Sequence, residues 1–135
     1  MSRASIPARG LRRAIVVDDS RAMRSMLRHA LEEQNFHVTE AVNGGEALRM
    51  LQEGEPPELA LIDWTMPVLD GIGLISALRR DPRFARMVIV MVTSEADPVR
   101  VQSALAAGAD EYIMKPLSSD VLAEKLMLLE EAGWP

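Results

Sequence analysis

The sequence of 135 residues contains no cysteine and no long apolar run. Without cysteine there are no disulfide bonds, thiolate nucleophiles or cysteine-bound zinc ions, and this composition fits a reducing compartment, so we expect a cytoplasmic protein. No stretch approaches the roughly 20 apolar residues of a membrane-spanning helix. Residues 1–10 also lack the apolar segment of a secretory signal. We therefore expect no membrane partner.

The sequence also lacks the loops that bind nucleotides. It has no Gly-x-x-x-x-Gly-Lys segment, and Gly71-Ile72-Gly73 lacks the third glycine of a dinucleotide-binding turn. The net charge of -5 gives no support for a basic face that would bind a phosphate backbone. Nucleotide hydrolysis therefore has no support, and we expect no nucleic-acid partner.

The length is typical of one domain that can bury its own core. We expect a flexible basic arm over residues 1–11, with Arg3 and Arg9, and a single domain over residues 12–135. Solubility or plain disorder explains the arm more simply than docking does. Only Ala132 to Pro135 follow the last predicted helix, so no DNA-binding effector domain is expected.

Short apolar runs alternate with longer amphipathic segments along the chain. This pattern predicts an α/β fold with a parallel sheet. The predicted strands are residues 13–17, 37–41, 59–62, 87–92 and 111–114, and the predicted helices are residues 21–34, a segment ending near 53, 71–80, 98–108 and 119–131. The second strand alternates polar and apolar residues, as an edge strand can. We expect Ser20 to cap the first helix and Met127 to fill the core. On the last helix we expect an inward face of Val121, Leu122, Leu126 and Leu129. The pattern is consistent with a flavodoxin-like, doubly wound, five-stranded sheet of order 2-1-3-4-5 with five helices.

Polar side chains follow the predicted strands at the points where the strands end. They are Asp18 and Asp19 after the first strand, Asp63 after the third, Thr93 after the fourth and Lys115 after the fifth. In an open parallel sheet these ends lie side by side, and ligands bind there. The sequence therefore predicts one site with three acids, a hydroxyl and an amine.

These groups suit phosphoryl transfer to a carboxylate. Two carboxylates about 4 Å apart repel by roughly 4 kcal/mol at an effective dielectric constant near 20, so three need a cation or a raised pKa. Oxygen ligands without histidine or cysteine favour Mg²⁺. One carboxylate could then act as the nucleophile, while Lys115 and Thr93 would contact phosphoryl oxygens.

Each residue also has an ordinary structural explanation. Asp18-Asp19 could begin a helix, and Asp63 could be a loop acid. Lys115 could be a solvated lysine at a turn, and Thr93 a capping hydroxyl. Only the coincidence of all five positions favours a functional site.

The same residues carry a resemblance to a known family. The chain resembles the response-regulator receiver domain of two-component signalling, of the stand-alone, CheY-like chemotaxis type, over about residues 13 to 131. The matching motifs are Asp18-Asp19, Asp63-Trp64-Thr65-Met66-Pro67 with Asp70-Gly71, Thr93-Ser94-Glu95, and Tyr112 three residues before Lys115-Pro116.

The resemblance implies a phosphorylation chemistry. Asp63 would accept a phosphoryl group from a sensor histidine kinase or a histidine phosphotransfer protein. Mg²⁺ would be held by Asp63, by Asp19 directly, by Asp18 mainly through water, and by the backbone carbonyl of Thr65. Lys115 would contact the phosphoryl oxygens, as would the hydroxyl at position 93.

The resemblance also implies an output. Thr93 and Tyr112 would form a switch that changes the face of helix four, strand five and helix five, where a downstream target protein binds. Thr65 and Glu95 would tune dephosphorylation. The protein would be a monomer or a weak dimer, and it would be a signalling protein with self-catalysed phosphotransfer and autodephosphorylation rather than an enzyme.

Two other functions compete with this hypothesis. One is a phosphatase with an aspartyl-phosphate intermediate, but such enzymes usually carry an acid two residues after the nucleophile, where this chain has Thr65. The other is a phosphorylation-independent binding module, against which the complete set of acids and Lys115 argues.

Overall fold

The computed structural model describes residues 12–64, 69–94, 98–115 and 117–132. The strands are β1 (Arg12–Val17), β2 (Phe36–Ala41), β3 (Leu59–Asp63), β4 (Val88–Thr93) and β5 (Glu111–Met114). The helices are α1 (Arg21–Glu32), α2 (Gly44–Glu53), α3 (Gly71–Arg79), α4 (Pro98–Ala107) and α5 (Ser119–Glu131). A short 3-10 helix, Pro82–Phe84, was not predicted. The predicted arm, residues 1–11, lies outside the described residues.

The five strands form one parallel sheet in the order β2-β1-β3-β4-β5, which confirms the predicted topology. The edge strand β2 alternates buried and exposed residues over most of its length. In contrast, every residue of β3 and β4 is buried. The central strands thus read as continuous apolar runs because helices cover both of their faces.

The helices cover the sheet in two layers, each with its own apolar cluster. Successive side chains of a strand point to opposite faces. In β1, Ile15 and Val17 belong to the cluster covered by α2, α3 and α4, and Ala14 and Val16 belong to the cluster covered by α1 and α5.

Among the helices of the described ranges, none is long and apolar enough to cross a membrane.

Helix α5 corrects two expectations about the core. Its inward stripe consists of Leu122 and Leu126, with Leu129 partly buried against the same cluster. Val121, expected to face inward, is 44% exposed, and Met127, expected to fill the core, is 56% exposed. Each lies one residue from the stripe, and one residue turns the helix by about 100°, which carries the side chain away from the sheet.

Candidate functional site

The carboxyl ends of the strands bring the predicted site residues together. Asp63 is the last residue of β3 and pairs with Val92 of β4. Thr93 ends β4, and its carbonyl accepts a 2.7 Å hydrogen bond from the backbone amide of Lys115, which follows β5. Asp18 directly follows β1, the neighbour of β3 on the other side. The chain therefore places three strand ends around Asp63.

The ammonium group of Lys115 bridges two carboxylates. Its Nζ lies 3.0 Å from Oδ1 of Asp63 and 3.1 Å from Oδ2 of Asp18. Asp18, Asp63 and Thr93 are buried, whereas Asp19 is exposed. The structure thus confirms that the acids and the amine lie close together, as predicted.

The acids also form a cluster that fits a hard cation. Asp18, Asp19 and Asp63 each offer a carboxylate oxygen within 4.8 Å of the other two. Three carboxylates and one ammonium leave a formal charge of about -2, which a divalent cation would neutralise. An all-oxygen donor set with part of its surface open to water suits Mg²⁺, which usually keeps several waters. The residues present therefore fit this ion.

Burial and the charges of the cluster shift the pKa values of Asp63 and Lys115. Burial raises the pKa of Asp63, and the nearby charges of Asp18 and Asp19 raise it further, against the opposing effect of Lys115. Burial alone would lower the pKa of Lys115, but its hydrogen bonds to Asp63 and Asp18 outweigh burial and raise it. The raised pKa favours the charged form of Lys115 but disfavours the charged form of Asp63. The two residues differ because Lys115 has two partners of opposite charge, while Asp63 has one.

Besides the hydrogen bond from Lys115, three further hydrogen bonds hold Asp18. Its amide donates to the carbonyl of Ala41 on β2, at 3.2 Å. Its Oδ1 accepts from the amide of Ser20, at 2.8 Å, and its carbonyl accepts from Nη1 of Arg24, at 2.9 Å. Ser20 also caps α1, as predicted, by accepting from the amide of Met23. The contact with Arg24 was not predicted, because a charged residue on α1 is typical of a solvated helix face.

Asp63 is approached closely by the start of α3. The amide of Gly71 donates to the carbonyl of Trp64 at 3.0 Å, and a Cβ atom at position 71 would lie only 2.6 Å from the carbonyl oxygen of Asp63. Asp70 caps α3 by accepting from the amide of Gly73. Glycine at position 71 therefore lets the helix begin against the strand that carries Asp63. The Asp-Gly pair in the sequence signals the cap, but not this distance.

The remaining predicted residues lie around this centre or outside the described part of the chain. Tyr112, on β5, is partly buried and packs against the cluster beneath α2, α3 and α4, with Nζ of Lys125 6.0 Å from its ring centre. The guanidinium of Arg100, in the first turn of α4, lies 5.2 Å from the Trp64 ring centre.

Thr65, the predicted carbonyl ligand, and Glu95, the predicted tuning residue, lie outside the described residues. Their roles stay predictions.

Comparisons with known proteins find relatives over most of the chain. The family model described as the response regulator receiver domain matches residues 14–127. The chain is 38% identical to the chemotaxis protein CheY1 of Helicobacter pylori over 113 residues, which cover 83% of this chain and 91% of that protein. A chemotaxis protein CheY homolog of Campylobacter jejuni is also 38% identical over 113 residues, covering 83% of this chain and 87% of the homolog.

Solved structures give the same result for the fold. The chemotaxis response regulator CheY4 of Vibrio cholerae has a TM-score of 0.82 at 30% identity, covering 87% of this chain and 98% of that one. A CheY-like receiver domain protein of Methanospirillum hungatei has a TM-score of 0.81 at 31% identity, covering 91% of this chain and 96% of that one.

Proposed function

The chain belongs to the response-regulator receiver family, and on this premise we propose that Asp63 is phosphorylated in a Mg²⁺-dependent reaction by a sensor histidine kinase or a histidine phosphotransfer protein. The supporting observation is the ammonium group of Lys115 within 3.1 Å of both Asp63 and Asp18, beside the exposed Asp19. This arrangement combines a nucleophile, a cation for the incoming phosphoryl group and further oxygen ligands.

Asp63 acts as the nucleophile. A carboxylate oxygen attacks phosphorus, the bond between phosphorus and the imidazole nitrogen of the donor breaks, and an acyl phosphate forms on Asp63. The leaving nitrogen takes a proton from solvent. Lys115 keeps a donor beside the transferred group, and Thr93 is at the strand end from which its hydroxyl can serve a second phosphoryl oxygen. Such reactions depend mainly on positioning and charge neutralisation.

The acid cluster would hold the ion that the reaction needs. Asp18, Asp19 and Asp63 would supply carboxylate ligands, and the carbonyl of Thr65 would be the further ligand that the family resemblance implies. When bound, Mg²⁺ offsets the charge of the carboxylates and of the phosphoryl oxygens. Asp18 and Lys115 keep one side of Asp63 buried, which limits the directions from which a donor can approach.

The output is a change in protein binding at the surface of α4, β5 and α5. Helix α4 buries only Ala104 among its residues, and Val99 in its first turn is 72% exposed. A helix with so few buried contacts can shift at little cost when Thr93 and Tyr112 rearrange around a phosphoryl group. The partner at this face is a downstream target protein.

The protein acts as a signalling protein and not as an enzyme with a released product. Position 65 is threonine, where aspartyl-phosphate phosphatases usually carry a second acid. We therefore expect one phosphoryl group per chain and its self-catalysed loss, with no sustained hydrolysis of small phosphate esters.

Acetyl phosphate with Mg²⁺ tests this function directly. Intact mass spectrometry should find one phosphoryl group on the wild type, none on Asp63→Asn, and none on the wild type when EDTA replaces Mg²⁺. Equal labelling of Asp63→Asn would refute Asp63 as the acceptor. Equal labelling in EDTA would refute the requirement for a divalent ion.

A further inference from the structure

The guanidinium of Arg24 connects the acid pair to the edge strand of the sheet. Its Nη1 donates to the backbone carbonyl of Asp18 at 2.9 Å, and its Nε donates to Oε1 of Glu40 at 3.0 Å. The Arg24 side chain is only 13% exposed, although it lies on α1 near the surface. One side chain thus spans the first helix, the loop after β1 and strand β2.

The anchor of this arginine is itself fixed. Glu40 lies on β2 opposite Val16 of β1, and its Oε2 accepts a 2.7 Å hydrogen bond from Nη1 of Arg28. Arg28 and, to a smaller extent, Arg24 hold the pKa of Glu40 below its usual value despite partial burial. Glu40 is therefore a charged, doubly held acceptor that defines where the guanidinium of Arg24 lies.

We infer that Arg24 is a positioning residue for the metal-binding acid pair: by holding the carbonyl between Asp18 and Asp19, it sets the direction in which both carboxylates face Asp63. This inference rests on the function proposed above, because it concerns ligands of the same Mg²⁺ site. The described hydrogen bonds of the Arg24 side chain are with the Asp18 carbonyl and with Glu40, so it is not a catalytic residue.

The effect is geometric rather than one of net charge. Glu40 compensates the charge of Arg24 at hydrogen-bond distance. The planar guanidinium offers donors in fixed, separate directions, one toward each partner. A lysine keeps the charge but places all its donors on one nitrogen. Arg24→Lys therefore changes the directions of the hydrogen-bond donors while it keeps the charge. Loss of an outer-shell contact of this kind typically changes metal affinity by roughly 10–100-fold.

The chain provides a matched control on the same helix. Arg28→Lys is the same substitution one turn later, and it removes a guanidinium from the same Glu40, but the contacts of Arg28 are with Glu40 and Glu32. It therefore weakens the anchor without changing a bond to Asp18. Urea unfolding of both variants reports any general loss of stability.

Mg²⁺ titration followed by Trp64 fluorescence measures the effect, with Trp134→Phe in every protein to remove the second tryptophan. We expect Arg24→Lys to weaken Mg²⁺ binding about tenfold, at the lower end of the usual outer-shell range, and Arg28→Lys by less than about twofold. Without Mg²⁺, the NMR signal of the Asp19 amide, which shares its peptide group with the Asp18 carbonyl, should shift in Arg24→Lys and stay in place in Arg28→Lys.

The outcomes separate this inference from the proposed function. If wild type and Arg24→Lys bind Mg²⁺ equally, the inference is overturned while the site remains. Equal weakening by both variants would also overturn it, since Arg28 has no contact with Asp18. If the wild type gives no response to Mg²⁺ by fluorescence or calorimetry, the proposed site itself fails.

A variant outside the helix guards against misfolding of Arg24→Lys. Glu40→Gln keeps an oxygen acceptor for Nε of Arg24, so its Mg²⁺ affinity should stay within about threefold of wild type, whereas Glu40→Leu removes the acceptor and should weaken binding in the same direction as Arg24→Lys. Unchanged affinity in a folded Glu40→Leu protein would overturn the inference independently.

Discussion

Lys115 contributes one ammonium group to two carboxylates, with its Nζ 3.0 Å from Asp63 and 3.1 Å from Asp18. These three residues come from the ends of three different strands. The relationship leaves the pair of acids only partly neutralised, and it makes the site sensitive to pH, to metal ions and to any change at position 115.

Replacing Lys115 should destabilise the protein. Lys115→Met keeps an apolar stem but leaves Asp18 and Asp63 facing each other without a cation. Breaking a fully buried pair costs about 3–5 kcal/mol. Because the Lys115 side chain is 18% exposed, we expect about 2 kcal/mol less free energy of unfolding at pH 7. Urea denaturation measures this loss.

The pH dependence and a control sharpen that prediction. The raised pKa of Lys115 means that its contribution is complete below the ordinary pKa of lysine and is lost as pH rises through the raised value. A more accessible counterpart is Lys125, which is 28% exposed and 3.7 Å from Glu111, and Lys125→Met should cost less than about 1 kcal/mol. Equal losses in the two variants would contradict the special role of Lys115.

Replacing Asp63 should stabilise the protein in the absence of metal. The pKa of Asp63 is raised, so the folded state binds more protons than the unfolded state between the ordinary and the raised pKa. Stability from this residue therefore falls as pH rises through that interval. Asp63→Asn avoids the fall, and thermal unfolding in EDTA should give it a higher Tm than wild type at pH 7. The gain should vanish below the ordinary pKa of aspartate, about 3.9. A lower Tm of Asp63→Asn than of wild type at pH 7 would contradict the expectation that the Asp63 carboxylate destabilises the metal-free protein.

The close approach at Gly71 should not tolerate a methyl group. A Cβ there would meet the backbone oxygen of Asp63 at 2.6 Å and Cα of Trp64 at 3.1 Å, neither of which can rotate away. Overpacking typically costs 1–3 kcal/mol, so we expect Gly71→Ala to lose about 2 kcal/mol of unfolding free energy and to slow labelling by acetyl phosphate. Gly54→Ala is the control, because its Cβ would lie an ordinary 3.6 Å from the carbonyl of Met50. That variant should stay within about 0.5 kcal/mol of wild type.

The contact between Arg100 and Trp64 should be visible in fluorescence. The guanidinium lies 5.2 Å from the ring centre, and a pair at a partly exposed site contributes about 0.5–1 kcal/mol. In a Trp134→Phe background, Arg100→Ala should change the Trp64 emission and lower stability by roughly that amount. Arg86→Ala removes the same charge at the other end of β4 and should leave the emission unchanged. An unchanged spectrum in Arg100→Ala would show that the contact does not persist in solution.

The residues at the site differ in how far the sequence could predict them. Asp18, Asp63 and Thr93 could be placed together because each follows a buried apolar run, and the ends of parallel strands must meet at one edge. Arg24 could not, since its partner is a backbone carbonyl, which is present at every residue. Val121 was placed inward because it is apolar, but the turn of α5 points it away from the sheet.

The sequence by itself determined the alternation of strands and helices along the chain and the edge of the sheet at which the acids gather. It could do so because periodicity and strand ends are local properties of the chain. Only the tertiary structure decided that Lys115 bridges two carboxylates, that Arg24 holds the Asp18 carbonyl and that α3 begins against Asp63. These depend on distances of about 3 Å between atoms on different elements of the fold, and such distances are set by how the helices pack on the sheet.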